Sequence, residues 1–135
     1  MTKEEVKQEY KEMEGDPEVK SHMERAKQEL LRRNIPKMVA ESDVVITNPT
    51  HFAVALKYDT SIPNSAPQVN AKGEDEIALT IRRIAKENDI PIVENRPLAR
   101  SLYAETQVGD IIPDDYINAI VLVYKQIDYI SKRRN

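Results

Sequence analysis

The segment Asn48-Pro49-Thr50-His51 lies between two apolar runs, and its residue types allow a reaction that breaks the chain. The Pro49 nitrogen carries no hydrogen and cannot attack the Asn48 side chain, so the usual route of asparagine ageing is closed. The Asn48 side-chain nitrogen can instead attack its own main-chain carbonyl carbon and close a five-membered succinimide ring. The Pro49 nitrogen then leaves, and the chain is cut between Asn48 and Pro49.

Such a reaction needs a rigid scaffold and a group that stabilises charge on the attacked carbonyl oxygen. Stiff strands on either side would hold Asn48 in an attack-ready pose, where a high effective molarity speeds ring closure. The side chains of Thr50 and His51 are the nearby candidates for a hydrogen-bond donor or a proton acceptor. A turn that pulls the peptide out of plane raises its ground-state energy. The candidate catalytic residues are therefore Asn48, Pro49, Thr50 and His51.

The residues alone leave three other interpretations of this segment open. Asn-Pro is a common turn starter, so the segment is also typical of a plain turn in a structural scaffold. His51 could then be a strand-end imidazole that merely binds a carbonyl oxygen. A conventional hydrolase or transferase would instead pair His51 with a carboxylate such as Asp43 or Asp59.

Length and composition exclude several classes of chemistry. A chain of 135 residues fits one ordinary domain with a short appendage. Cysteine is absent, which excludes disulfides and thiolate chemistry. The only histidines, His22 and His51, lie far apart in sequence, so a zinc site is disfavoured. The three glycines are isolated and form no phosphate-binding loop. We therefore expect no cofactor and no metal.

Charge and hydropathy also limit the partners. A net charge of -3 gives no general attraction to nucleic acid or to an anionic membrane. The basic groups Arg82-Arg83 and Lys132-Arg133-Arg134 lack an aromatic platform and are typical of solvated helix surfaces. No apolar run has the length needed to cross a bilayer, and no signal-peptide pattern is present. We expect a soluble chain without a nucleic-acid partner, which could still be the soluble part of a membrane protein.

Residues 1–33 differ from the rest of the chain in charge content and in the pattern of apolar residues. Seventeen of them are charged, eight basic and nine acidic, and the signs alternate. A thin apolar stripe from Val6 to Leu30 has helical spacing but is too narrow to bury well. Gly15-Asp16-Pro17 interrupts it, so two helical pieces with a joint are predicted. This segment is either a mobile charged helix or a spacer to something upstream, and we favour the spacer.

From Asn34 onward the pattern predicts one packed α/β domain, residues 34–135, with a small mixed sheet of four to five short strands and about four helices in all. The first strand is almost entirely apolar, which is typical of burial on both faces. The second alternates large residues with Ala53 and Ala55, which we expect to lie under a helix. The predicted strands are Asp43–Thr47, Phe52–Tyr58, Val69–Lys72 and Ile90–Val93. The predicted helices begin at Gly73, at Pro97 and near Pro113, the last running to about Ser131.

Four further segments follow the residues at 48–51 in order: FAVALKYD, APQVNAKG, EIALTIRRIAKENDIPIVENRPLARSLY and VGDIIPDDY. Together these motifs resemble the cytoplasmic domain of the FlhB/YscU family of type III secretion export-switch proteins. The resemblance covers essentially residues 20–135. The flagellar branch of the family fits better than the injectisome branch, which remains the alternative, because VALKYD and AKG are more like flagellar sequences.

The resemblance implies several properties that composition cannot show. Members have an N-terminal transmembrane region in the bacterial inner membrane, with this domain on the cytoplasmic side, so residues 1–33 would be the linker descending from the membrane. They cut themselves once at the bond matching Asn48-Pro49, without turnover, and the pieces stay together. They help to switch export from rod and hook substrates to filament substrates. The implied partners are the cytoplasmic domain of the other large export-gate protein (FlhA-like), the hook-length ruler protein and exported substrates.

Overall fold

The computed structural model describes residues 15–61 and 65–134, with side chains described as far as residue 128 in the last helix. The chain divides into two units, residues 1–34 and residues 35–135. The helical piece predicted before Gly15 lies outside the described residues. None of the helices in the described ranges is both long and apolar enough to span a membrane.

Helix α1, Pro17–Ala40, begins as predicted and ends later than predicted. Pro17 occupies the first helical turn, and the Asp16 carboxylate accepts the Glu18 N–H at 2.9 Å, which caps the free backbone donors. The helix then continues through Pro36, although proline removes one helical hydrogen bond. Ile35 and Val39 are buried in the core of the second unit. The burial of these two side chains stabilises the helical conformation around Pro36, which would otherwise interrupt the helix.

The second unit is built on an open four-stranded sheet with the order β3-β2-β1-β4. Strand β1 pairs antiparallel with β2 and parallel with β4, and β2 pairs antiparallel with β3. This mixed sheet confirms the predicted α/β fold class. The strands are β1 Val44–Asn48, β2 Phe52–Lys57, β3 Gln68–Glu74 and β4 Ile92–Glu94.

Helices cover both faces of this sheet. Val44 and Ile46 of β1 belong to one core cluster and Val45 to the other, and all three side chains are fully buried. Ala53 and Ala55 lie in the cluster that α2 and the end of α1 complete, as predicted for small residues under a helix. Helices α3 and α4 complete the opposite cluster. These helices are α2 Asp75–Glu87, α3 Arg96–Glu105 and α4 Ile117–Arg134, the last preceded by a 3₁₀ turn at Asp114–Tyr116.

The helix predicted to begin at Gly73 begins two residues later, and this prediction was wrong. Gly73 lies in β3, where it pairs with Ala53. A Cβ at Gly73 would lie only 2.3 Å from Cγ2 of Ile77, in the first turn of α2. The glycine therefore allows the helix to pack directly against the end of its own preceding strand.

We predict that Gly73→Ala destabilises the second unit by about 1–3 kcal/mol, because the added methyl overlaps Ile77 in a packed region. Urea unfolding measures the change as a lower midpoint. Gly15→Ala is the matched control, since nothing lies within 4 Å of a Cβ at that position. Equal midpoints for Gly73→Ala and the parent chain would show that the close approach carries no constraint.

Candidate functional site

The four candidate residues form one tight turn between β1 and β2. Asn48 is the last residue of β1 and pairs in register with Phe52, the first residue of β2. The His51 backbone N–H donates to the Asn48 carbonyl oxygen at 3.0 Å. No cis peptide bond occurs in the described chain, so the Asn48–Pro49 bond is trans. The structure thus brings the four predicted residues together in what we call the 48–51 turn.

Thr50 adopts an unfavourable backbone conformation within this turn. Its φ is 66°, in the left-handed region, although threonine is β-branched. Proline at the second position and a positive φ at the third are the features of a type II turn, where glycine normally occupies the third position. A left-handed backbone costs a residue with a Cβ roughly 1–2 kcal/mol. The 48–51 turn therefore stores strain that its surroundings must maintain.

Backbone hydrogen bonds hold both sides of the turn. The Asp75 N–H, at the junction of β3 and α2, donates to the His51 carbonyl oxygen at 2.9 Å. Asp75 also has a positive φ, 51°. On the other side, the Asn95 N–H donates to the Thr47 carbonyl oxygen at 3.0 Å, and the buried Thr47 hydroxyl donates to the Phe52 carbonyl oxygen at 3.0 Å. The end of β1 is thereby fixed next to the turn.

The Asn48 side-chain amide and the Asn48 carbonyl group differ in their hydrogen bonding. Asn48 is half-buried, and its side-chain amide makes no hydrogen bond to any described residue. Its carbonyl oxygen already accepts the His51 N–H, so a donor is present where negative charge would develop. Sequence reasoning proposed the Thr50 or His51 side chain for this task. Both side chains are exposed, and the donor in place is the His51 main chain.

The geometry does not support a conventional hydrolase that uses His51 with a carboxylate. Asp43 and Asp59 lie at the opposite end of the β1–β2 hairpin, about 16 Å away along five strand residues. The Asp43 carboxylate accepts the Tyr58 N–H at 2.6 Å and the Tyr124 hydroxyl at 3.0 Å. Burial raises the pKa of Tyr124 far above its usual value, and the Asp43 charge adds to the shift. Across the described residues, no three His, Asp or Glu side chains converge on a metal position.

An aromatic cluster next to the turn was not predicted. The Tyr103 ring packs against Phe52, with ring centroids 4.9 Å apart. Burial raises the pKa of Tyr103, and the charge of the nearby Glu74 carboxylate adds to the shift. Sequence reasoning had no means of finding the contact between Tyr103 and Phe52, because it joins residues that are far apart in sequence.

Lys72 fixes Tyr103 from the other side. Its ammonium lies 4.6 Å from the centre of the Tyr103 ring and donates to the carbonyl oxygens of Tyr103 at 2.8 Å and Thr106 at 2.7 Å. Burial lowers the pKa of Lys72, while the nearby Asp110 and Glu74 charges oppose that shift. The ammonium also neutralises carbonyl dipoles at the C-terminus of α3, where a cation is favourable.

Comparison with known proteins identifies the family of this chain. The family described as FlhB HrpN YscU SpaS matches residues 1–127. This chain belongs to that family. The flagellar biosynthetic protein FlhB of Borreliella burgdorferi is 49% identical over 135 residues, and that of Bacillus subtilis is 45% identical over 134 residues. These relatives confirm the predicted likeness to the flagellar branch.

The chain spans about a third of the length of those relatives. It covers 36% of the Borreliella protein and 37% of the Bacillus protein, while 100% and 99% of this chain is matched. The solved cytoplasmic domain of FlhB from Shewanella putrefaciens is similar over 76% of this chain and 81% of that one, with a TM-score of 0.67 and 37% identity. The shared fold is therefore that of the cytoplasmic domain of FlhB.

We predict that Thr50→Gly stabilises the uncut domain, tested in an Asn48→Ala background so that the chain stays intact. Relief of roughly 1–2 kcal/mol of strain is partly offset by about 0.5–1 kcal/mol from the greater freedom of glycine when unfolded. The expected net gain is about 0.5–1 kcal/mol in the free energy of unfolding, measured with urea. Thr50→Ala retains a Cβ and should gain less. A loss of stability with Thr50→Gly would mean that Thr50 is not strained.

Proposed function

We propose that this chain is the cytoplasmic domain of a flagellar type III export protein and that it cuts itself between Asn48 and Pro49 by asparagine cyclisation. The observation that carries the proposal is the hydrogen bond from the His51 N–H to the Asn48 carbonyl oxygen, formed beside a half-buried asparagine amide with no hydrogen-bond partner in the described structure. The nucleophile, the attacked carbonyl and a charge-stabilising donor thus occupy one strained turn.

The reaction proceeds in two steps that need only water as co-reactant. The Asn48 side-chain nitrogen forms a bond to the Asn48 carbonyl carbon, and the oxyanion that develops is stabilised by the His51 N–H. The bond from that carbon to the Pro49 nitrogen then breaks, and the proton lost by the side-chain amide ends on the Pro49 nitrogen. Water later opens the succinimide and restores a C-terminal carboxylate. One molecule performs the reaction once on itself, so the chain is not a turnover enzyme.

The turn favours this reaction in three ways. The fixed end of β1 keeps the nucleophile beside the carbonyl, which supplies effective molarity. The proline nitrogen can leave but cannot attack, because it has no hydrogen. Cutting also frees the chain on the N-terminal side of Thr50, so the strain of its left-handed backbone can be released.

The fragments are expected to remain associated after the cut. Residues 1–48 keep α1 and β1, and residues 49–135 keep the other strands and helices described above. Val44, Val45 and Ile46 of β1 are fully buried between strands β2 and β4. Each contributes roughly 1.5–3 kcal/mol by burial. The hydrogen bond from the Tyr124 hydroxyl to Asp43 joins the two fragments as well.

The proposed role of the cut is to switch export from rod and hook substrates to filament substrates at the cytoplasmic face of the inner membrane. Pro49 is half-buried and Thr50 and His51 are exposed, so new chain ends would form where a partner can contact them. The proposed partners are an FlhA-like export-gate domain, the ruler protein and exported substrates. An injectisome domain with the same cleavage is the alternative, and the flagellar relatives favour the first assignment.

We predict that the purified chain gives two bands on a denaturing gel, residues 1–48 and residues 49–135, without added protease. Asn48→Ala should give one band because the nucleophile is removed. Asn48→Asp keeps the shape of the side chain but replaces its nitrogen by oxygen, and should also stay intact at neutral pH. Mass spectrometry of the fragments locates the cut. Cleavage of Asn48→Ala at the same bond would rule out cyclisation and indicate a contaminating protease.

We predict that Pro49→Ala slows cleavage by about tenfold or more, because an ordinary amide resists twisting and the turn loses its fixed φ. The rate is followed by pulse-labelling newly translated chains and separating intact from cut material over time. Pro17→Ala, which alters a proline at the start of α1, should leave the rate unchanged. Equal rates for Pro49→Ala and the parent chain would contradict a role for the proline amide.

A further inference from the structure

We propose that Tyr103 is a positioning residue for self-cleavage and holds the 48–51 turn in its reactive conformation without touching the bond that breaks. This inference rests on the proposed function. Tyr103 lies on α3, far from the turn in sequence, and neither the family match nor the relatives assign it a role in the reaction.

Tyr103 contacts both strands that support the turn. Its ring packs on Phe52, the residue that follows His51, with centroids 4.9 Å apart and planes inclined by 32°. Its hydroxyl lies near the carboxylate of Glu74, the residue that precedes Asp75, and the Glu74 charge helps to raise the pKa of Tyr103. Phe52 and Glu74 are themselves register partners in the β2–β3 ladder. One side chain therefore spans a cross-strand pair.

That pair is adjacent to the hydrogen bond that ties the turn to the domain. The Asp75 N–H donates to the His51 carbonyl oxygen at 2.9 Å, and each partner is one residue beyond the pair that Tyr103 contacts. If Phe52 and Glu74 move apart, His51 and Asp75 must move apart too. Tyr103 thus controls the length of a bond that it does not form.

The turn needs such control because its backbone is unfavourable on its own. Thr50 precedes one partner of the His51–Asp75 hydrogen bond, and Asp75 is the other partner. Both residues have positive φ although neither is glycine. Without an external constraint, each residue would relax toward negative φ, and the His51 N–H would lose its alignment with the Asn48 carbonyl. Strained conformations persist only where surrounding contacts over-determine them.

Tyr103 is itself held rigidly enough to act as a constraint. The Lys72 ammonium lies over its ring at 4.6 Å and binds its carbonyl oxygen at 2.8 Å. Lys72 belongs to β3, the same strand as Glu74. The strand that leads to the Asp75 junction therefore holds Tyr103 in place through Lys72.

The test compares cleavage rates of pulse-labelled full chains. Tyr103→Phe keeps the ring against Phe52 and removes the hydroxyl that lies near Glu74, and should slow cleavage about three- to tenfold. Tyr103→Leu removes the ring contact as well and should slow it further. Tyr116→Phe is the matched control, since it removes a tyrosine hydroxyl bound to another carboxylate, Glu105, and should leave the rate unchanged.

A double-mutant cycle with Thr50→Gly separates positioning from general destabilisation. Glycine adopts positive φ without strain, so a turn with glycine depends less on an outside constraint. The slowing caused by Tyr103→Phe or Tyr103→Leu should therefore be several-fold smaller with glycine at position 50 than with threonine. If Tyr103 only stabilised the fold, the two factors would be equal.

Urea midpoints of each variant in an Asn48→Ala background show which variants are folded. If Tyr103→Leu does not fold, Tyr103→Phe decides the question. A parent-like rate for folded Tyr103→Phe and Tyr103→Leu, or equal factors in the cycle, would overturn the inference while leaving self-cleavage intact. An uncut parent chain would instead refute the proposed function.

Discussion

The backbone hydrogen bond from the Asp75 N–H to the His51 carbonyl oxygen joins two parts of the chain that each adopt an unfavourable backbone conformation. Thr50 and Asp75 both have positive φ, and neither segment would keep that conformation in isolation. The bond is possible because β3 and α2 meet without an intervening loop, which brings the first helical N–H groups to the end of the hairpin. The conformation of the 48–51 turn thus depends on the junction as much as on its own four residues.

That junction in turn depends on the packing of the sheet. Gly73 has no Cβ, so Ile77 can approach β3 closely and α2 can begin immediately after the strand. On the opposite face, Lys72 and Tyr103 connect the same strand to the C-terminus of α3. Contacts on both faces of the sheet therefore restrain the end of the β1–β2 hairpin. An isolated two-stranded hairpin would lack these contacts.

Local patterns were enough to predict the fold class and most of the elements. Apolar runs identified β1 and β2, and the helical spacing from Ile77 to Ala85 identified α2. The errors lie where tertiary contacts outweigh local preference. Burial of Ile35 and Val39 carries α1 past Pro36, and close packing keeps Gly73 in a strand. The sequence alone allowed a prediction of four candidate site residues, because asparagine before proline has unusual chemistry: Asn48, Pro49, Thr50 and His51. It did not allow a prediction of Tyr103 or of the Asp75 N–H, since no local pattern encodes a contact between distant segments.

The position of β1 in the sheet has a kinetic consequence for a cut chain. Among the described strands, in the order β3-β2-β1-β4, strand β1 is the only partner of β4 and one of two partners of β2. Departure of the shorter fragment would divide the sheet and strip β4 of its pairing, so release would require crossing an unfolding barrier. The lifetime of the two-chain state is then a matter of kinetic stability and rises steeply as temperature falls. A molecule that pulls on the shorter fragment through residues 1–33 would act against that barrier.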